Sequence, residues 1–456
     1  MKQARSASVS RAGLFTFLIA YAAGLAALLP VLSLWLDEIY DLRAARLSLG
    51  ALLEYVSTVP GNVPLPYLAQ FLSVHTLGYT AFTGRLPSAI ASLLAAWGIY
   101  VLARRMRLQR PLLAVLIFCI LPLQLRYALE ARPYAMALCL TIWSTVILLR
   151  WIDRGEFSDL ALYAGLVCAG LYTFPFTLFV PIAHLAGLLL SKDSFRLPGP
   201  RRWLWLALAV GAAGLVFLPW YLHSAPLWKA SVTQGQLTDR IGWRSVLVIL
   251  KELTGAGYLG TLLILFGAGI GLKYVRHRNF WLAYLVLPIL AAVAADAAFG
   301  YFLAIRQMIF VLAPLALLFA QGAESLNEHS PRAAAALALA LAVGCLIGSF
   351  SFFMRPREDW EQAAVVLVNE PCVVFSPPDS RLLYEFFASD AARHECNYDQ
   401  FASAQRVAHA VSPYTANNPS EGVQRELERF GLKKEAILNP AGPVIEIWIR
   451  ELPPAP

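Results

Sequence analysis

Three carboxylates stand together in Trp35-Leu36-Asp37-Glu38-Ile39-Tyr40-Asp41, immediately after the first long apolar run of a 456-residue chain. Charges are costly at membrane depth and are kept where they face water, a partner or a substrate. A carboxylate at such a place can take the proton of an attacking hydroxyl. Further along, Arg126, Glu130, Arg132 and Tyr134 follow one another closely, and Arg306 lies a few residues into a late apolar helix. A guanidinium presents a planar fork that matches phosphate oxygens and offsets the cost of placing the charge there. A base beside an attacking oxygen, with cations beside a leaving phosphate, is enough to move a group from a phosphate to a hydroxyl.

Each of these residues also has a plainer reading. Glu38 and Asp41 suit the positive end of a following helix, and for Asp41 that reading is preferred. Glu130 and Arg132 are two apart, poorly spaced for a pair on one helix, so they point to different partners. Glu130 then either positions an acceptor or orients an arginine. Arg126 or Arg132 is held by the acids of 37–41, or pairs structurally between loops. For Arg306 the alternative is snorkelling to the interface. His184, inside an apolar run, reads as a hydrogen-bonded helix contact, and Asp296 as a solvated span end. Trp203, Trp205, Trp220 and Tyr221 read as an interfacial belt.

The elements that must position these groups belong to a membrane protein: 58% of residues are apolar, 14% are charged, and mean hydropathy is +0.59. The net charge of +8 sits in short basic clusters between apolar runs. That pattern orients membrane helices and argues against nucleic-acid binding. A basic start precedes a first apolar run over 14–34, read as an uncleaved helix with a cytoplasmic N-terminus. An outer loop with interfacial helices is expected over about 35–85, broken at Pro60-Gly61-Asn62-Val63-Pro64-Leu65-Pro66-Tyr67. Further spans are read near 85–104, 111–127, 134–150, 160–175, 176–191, 203–221, 256–273, 280–298, 302–322 and 332–354, about eleven in all. The clusters at Arg104/Arg105/Arg107/Arg110, Lys192/Arg196/Arg201/Arg202 and Lys273/Arg276/Arg278 then share the cytoplasmic side, and the odd count sends the tail outside.

From Arg355 onward charges rise and β-prone pieces appear at 372–375 and 444–449, with helix-like stretches at 359–369 and 421–430. The division expected is thus a transmembrane domain over 1–354 and a small extracytoplasmic α/β domain over 355–456. Cys119, Cys139, Cys168 and Cys345 lie in apolar runs and read as small buried side chains. Cys372 and Cys396 are either a disulfide in an oxidising compartment or two unrelated thiols. No motif calls for a cofactor, and metal dependence is left open.

Asp37-Glu38, the 62–67 segment, Arg85-Leu86-Pro87-Ser88, Glu130-Ala131-Arg132-Pro133-Tyr134 and Arg306 together resemble the polyprenyl-phosphate-sugar-dependent GT-C glycosyltransferases. The similarity is greatest to the bacterial branch related to protein O-mannosyltransferases (glycosyltransferase family 39) and the lipid A aminoarabinose transferase. It covers roughly 13–360, and Glu358-Asp359-Trp360 is similar to an element following the last helix in many members. Members often read His-Pro-Pro-Leu-Tyr where this chain has Asn62 to Tyr67, so no histidine role carries over, and His75 is not at the matching position.

The resemblance implies an all-α polytopic GT-C fold and transfer of a sugar from a polyprenyl-phosphate donor to a hydroxyl of a lipid, glycan or protein. That reaction would take place at the outer face of a bacterial-type inner membrane, with inversion. Asp37 matches the family's acidic position and is read as the base, with Glu38 and Glu130 as further catalytic candidates. Arg126, Arg132, Tyr134, Arg306, Asn62, Tyr67 and Arg85 are the substrate-binding candidates. The competing class is a transporter or flippase of a lipid-linked or anionic solute, which calls for mid-membrane charges and internal repeats. The charges here gather at outer ends instead. A polymerase or ligase of the same fold shares the donor chemistry.

Overall fold

Proline placement decides where the apolar runs become separate helices. The structure, a computed structural model, describes residues 2–32, 34–191, 200–234, 243–299, 304–353, 358–376, 380–388, 396, 406–411, 427–438 and 445–451. Helix α1 (Lys2–Leu28) stops short of Pro30, whose ring and missing N–H end a helix, although the apolar run continues to 34. The polar stretch that follows forms α2 (Leu36–Ala45), α3 (Leu49–Thr58) and α4 (Pro64–Leu77). Pro64 opens α4, where an absent N–H costs nothing.

Helix α5 (Ala81–Arg105) starts ahead of the expected opening at 85, because Thr80 and Thr83 form a reciprocal capping box. Arg85, Pro87 and Ser88 therefore lie inside the helix. Pro87 removes the N–H that would reach the Thr83 carbonyl, and Ser73 Oγ of α4 donates to that carbonyl at 2.6 Å instead. Pro122 likewise splits the third apolar run into α6 (Pro111–Ile120) and α7 (Pro122–Ala128), which meet at a 71° bend.

The chain continues through α8 (Tyr134–Arg154), α9 (Phe157–Leu171), a 3-10 turn (Pro175–Leu178), α10 (Phe179–Leu190) and α11 (Pro200–Gln234). Then follow α12 (Trp243–Thr254), α13 (Gly257–Tyr274), α14 (Arg278–Phe299), a 3-10 turn (Ile305–Val311), α15 (Leu312–His329) and α16 (Pro331–Phe353). Among the described residues seven helices are long and apolar enough to cross a membrane, or eight if α6 and α7 make one broken span. Shorter apolar helices over Ala12–Leu28, Phe157–Leu171 and Pro175–Leu190 fill the remaining runs read from the sequence. Helix α12 is an addition to that reading. Deep in the bundle α13 and α15 touch backbone to backbone: a Cβ at Gly271 would stand 1.8 Å from the Leu318 carbonyl.

Two compact units result, Met1–Leu29 with Ala44–Phe352, and Pro30–Arg43 with Phe353–Pro456. The acidic segment 37–41 thus groups with the tail and not with the helical bundle, a division that no contiguous boundary near 354 expresses. In the second unit α17 (Trp360–Leu367) is capped by Asp359, whose Oδ1 accepts from Gln362 N at 3.0 Å. Strands β1 (Val373–Ser376), β2 (Arg406–Val411), β3 (Lys433–Leu438) and β4 (Ile445–Glu451) form one sheet ordered β1-β2-β4-β3. The β1–β2 pair is parallel, with Val373 opposite Ala408, and the other two pairs are antiparallel, with Ala408 opposite Ile449.

Helix α18 (Ser380–Phe387) packs on this sheet through buried Leu383 and Tyr384. Strands β1 and β4 are the two pieces read from sequence, and β2 and β3 are additions. Residues 421–426 of the expected second helical stretch lie outside the described residues. Cys372 and Cys396 are joined in a disulfide, and the other four cysteines are free.

Candidate active site

The turn between α7 and α8 is Leu129-Glu130-Ala131-Arg132-Pro133, with Tyr134 opening α8, and it is held by side chains from two other helices. Gln70 Nε2 of α4 donates to the Ala131 carbonyl at 2.8 Å, and Ser88 Oγ of α5 donates to the Arg132 carbonyl at 3.1 Å. Carbonyls of a buried turn have no ladder partner, so these two bonds satisfy groups that would otherwise be costly to bury. They also join two of the segments singled out in the sequence, since Ser88 and Arg132 meet across 44 residues. Gln70 was missed in the sequence reading, and its only signal was a lone amide within an apolar helix.

On this turn Glu130 is fully buried, and its Oε1 accepts from Arg126 Nε at 3.0 Å, one helical turn earlier. This bond fits the second of the two roles open to Glu130, orienting an arginine. Tyr127 and Tyr134 pack edge to face with ring centroids 4.6 Å apart. Guanidiniums surround this pair: Arg126 lies 5.6 Å from the Tyr127 ring, and Arg132 and Arg306 each lie 5.8 Å from the Tyr134 ring. Arg126 also stands 5.3 Å from Phe352. At these separations the ring faces attract the cations and help keep them together against their mutual repulsion. Three guanidiniums gathered in this way are a suitable setting for an anion. Arg306 sits in the 3-10 turn before α15, where the sequence suggested an apolar helix.

Asp37 and Glu38 form the first turn of α2, in the other unit. Glu38 is fully buried and its Oε2 accepts from Trp35 N at 3.5 Å, so it caps the helix. Asp41 lies beyond the first turn, and the capping read for it falls to Glu38. Asp37 is half-buried.

The remaining candidates stand elsewhere. Arg85 is fully buried, and its Nη1 donates to the Leu29 carbonyl at 2.7 Å, tying the end of α1 to α5. Asn62 accepts at its backbone carbonyl from Trp220 Nε1 at 3.2 Å. Tyr67 packs with Ala44, Leu52 and Val56 and edge-on to Tyr55. His184 is hydrogen-bonded in the bundle, to Thr145 at 2.9 Å and Tyr163 at 3.2 Å. Among the described residues no three His, Cys, Asp or Glu side chains are gathered as a metal site.

The family model for dolichyl-phosphate-mannose-protein mannosyltransferases matches residues 60–223. A comparison by sequence with curated proteins finds no match. Among solved structures, apo ArnT from Cupriavidus metallidurans aligns with TM-score 0.61 and 12% identity, covering 96% of this chain and 98% of that one. ArnT bound to undecaprenyl phosphate aligns with TM-score 0.58 and 13% identity over the same shares. The oligosaccharyltransferase AglB from Archaeoglobus fulgidus, in complex with an inhibitory peptide and a dolichol-phosphate, aligns with TM-score 0.52 and 12% identity, covering 87% and 69%. Over nearly its whole length the chain thus has the fold of ArnT, and its residues 60–223, which contain the 85–88 and 130–134 segments, are similar to the dolichyl-phosphate-mannose-protein mannosyltransferase family.

Proposed function

We propose that the protein is a membrane glycosyltransferase that moves a sugar from a polyprenyl-phosphate-linked donor to a hydroxyl of a lipid, glycan or protein. The observation that carries this reading is the gathering of Arg126, Arg132 and Arg306 around Tyr127 and Tyr134, with Arg126 oriented by Glu130. Such a group suits the phosphate of the donor. The reading is supported by the fold shared with an ArnT that binds undecaprenyl phosphate and an AglB that binds a dolichol-phosphate.

In the reaction the acceptor hydroxyl attacks the anomeric carbon from the side opposite the phosphate, inverting it, and its proton passes to the Asp37 carboxylate. The bond from the anomeric carbon to the phosphate oxygen breaks and its electron pair leaves with the lipid. A phosphodiester with one negative charge becomes a monoester approaching two, and the guanidiniums stabilise that increase most in the transition state. Arg85, Asn62 and Tyr67 support this site through the framework, by the bonds and packing described above. The basic clusters support a cytoplasmic N-terminus, with the reaction and the tail at the outer face of a bacterial-type inner membrane.

The test is transfer of radiolabelled sugar from a polyprenyl-phosphate-sugar to membrane acceptors by the purified protein, with and without a divalent-metal chelator. Labelled product and released polyprenyl phosphate are expected. Movement of the intact lipid across vesicles with no sugar transferred would identify a flippase instead.

A further inference from the structure

Helix α2, which carries Asp37 at its first turn, is gripped at its other end by the tail. Arg43 in the last turn of α2 donates from Nη1 to Glu385 Oε2 of α18 at 3.1 Å, across 342 residues of sequence. The other oxygen of the same carboxylate, Oε1, accepts from Arg381 Nε one turn earlier in α18 at 2.5 Å. Glu385 therefore binds two guanidiniums with its two oxygens, and its direction is set from both sides. Helix α18 is itself anchored. Tyr384 and Leu383 are buried, and the Tyr384 ring packs 5.3 Å from Phe375 of β1, which in turn stands 6.3 Å from Trp360 of α17. At the near end of α2, the Glu38 carboxylate closes on Trp35 N. Between these two fastenings runs a ten-residue helix with Ile39 and Leu42 fully buried. Such a short helix turns as one piece, so a change at Arg43 alters the aim of Asp37.

We infer that Glu385 is a positioning residue for Asp37: through Arg43 it sets the orientation of α2 and so the alignment of the base with the acceptor hydroxyl. The inference rests on the reading of Asp37 as the base. The arginine-rich group that suits the donor phosphate lies on other helices, so losing the Glu385 link acts on the chemical step and leaves donor binding alone. The side chains of the Arg43–Glu385 pair are partly exposed, at 41% and 23%. Such a pair adds little to stability, so the tail stays folded without it. What it supplies is direction, and a misplacement of about 1 Å is enough to cost roughly a hundredfold in rate.

The experiment measures kcat and donor KM in the full-length protein for Glu385→Gln, Glu385→Arg, Arg43→Glu and the exchanged double variant, with hydrogen exchange of β1 and α18 reporting the fold. The single variants should lose about ten- to a hundredfold in kcat with donor KM unchanged, and the double exchange should recover much of kcat. A purely structural pair would change hydrogen exchange and KM together with kcat. Unchanged kcat in Glu385→Gln and Glu385→Arg overturns the inference, and so does a loss in both singles that the exchange does not restore. Asp37→Asn is measured alongside: if it retains full activity the reading of Asp37 falls, whereas an inactive Asp37→Asn with a fully active Glu385→Arg removes only the positioning role.

Discussion

Arg126 donates to Glu130 at 3.0 Å while the carboxylate is wholly buried and the guanidinium remains 36% exposed. The pair is thus asymmetric. One oxygen of Glu130 accepts from its partner, and Arg126 keeps an exposed side. Removing the carboxylate leaves the arginine with a lost charge-assisted bond in a partly dry place. Glu130→Leu should therefore lower stability by about 2 kcal/mol, measured by thermal unfolding in detergent at matched lipid content. An unchanged melting temperature would show that the bond contributes nothing net.

Asp37→Asn keeps the shape of the side chain and removes its capacity to take a proton. Transfer should fall by about a hundredfold or more, with donor binding and hydrogen exchange of α2 unaltered. A fully active Asp37→Asn enzyme would overturn the mechanism.

Arg306→Lys retains the charge but loses the planar fork, and Arg306→Ala loses both. Donor affinity, read by binding of a labelled polyprenyl phosphate, should weaken about tenfold for Lys and more for Ala, the scale of a charge-assisted hydrogen bond. If both variants bind the donor as the parent does, Arg306 serves only to anchor its turn.

In the tail, burial in β2 pushes the His409 imidazole down to about 4 from its usual 6.5. The depressed value means that the neutral form is favoured in the folded state. Above about 6.5 the folded and unfolded chains hold the same protons and stability is at its full value. As the pH falls from 6.5 towards 4 the unfolded chain gains a proton that the folded one refuses, and stability is lost, by roughly 3 kcal/mol across that window. Hydrogen exchange of β2 and β4 should accelerate between pH 6.5 and 4, and His409→Leu should flatten that dependence. Exchange independent of pH in the parent protein, after correction for its intrinsic rate, would contradict this.

The Cys372–Cys396 disulfide closes a loop with a sequence separation of 24. Replacing both by serine should destabilise the tail by roughly 3 kcal/mol on the chain-entropy model, while mass spectrometry of the parent under non-reducing conditions should show the linked peptides. A reporter fused after Pro456 that works only outside the cytoplasm should be active. Silence from an intact, inserted fusion would place the tail on the other side.

What the amino-acid sequence determined by itself is the part that depends on local composition. Apolar runs long enough to cross a bilayer are legible because a membrane helix needs only its own residues to satisfy its backbone. The breaker cluster at 60–67 was legible because a missing N–H acts on its own turn, whereas Pro30 and Pro122 lay inside runs read as single spans and their breaks came only with the structure. Residue types that handle phosphate and protons, in the 37–41 and 126–134 segments, are legible for the same reason.

Partners across the chain were decided only by the tertiary structure. Nothing in the spacing of 85–88 and 130–134 shows that Ser88 would hold the Arg132 carbonyl, that Arg85 would donate to the Leu29 carbonyl, or that Gln70 would seal Ala131. The short strands β2 and β3 became strands through pairing with β4, a stabilisation that lies in the neighbour and not in the segment. The grouping of Asp37 with a tail more than three hundred residues away has the same cause: a salt bridge and a buried face are properties of two surfaces, and one stretch of sequence describes only one of them.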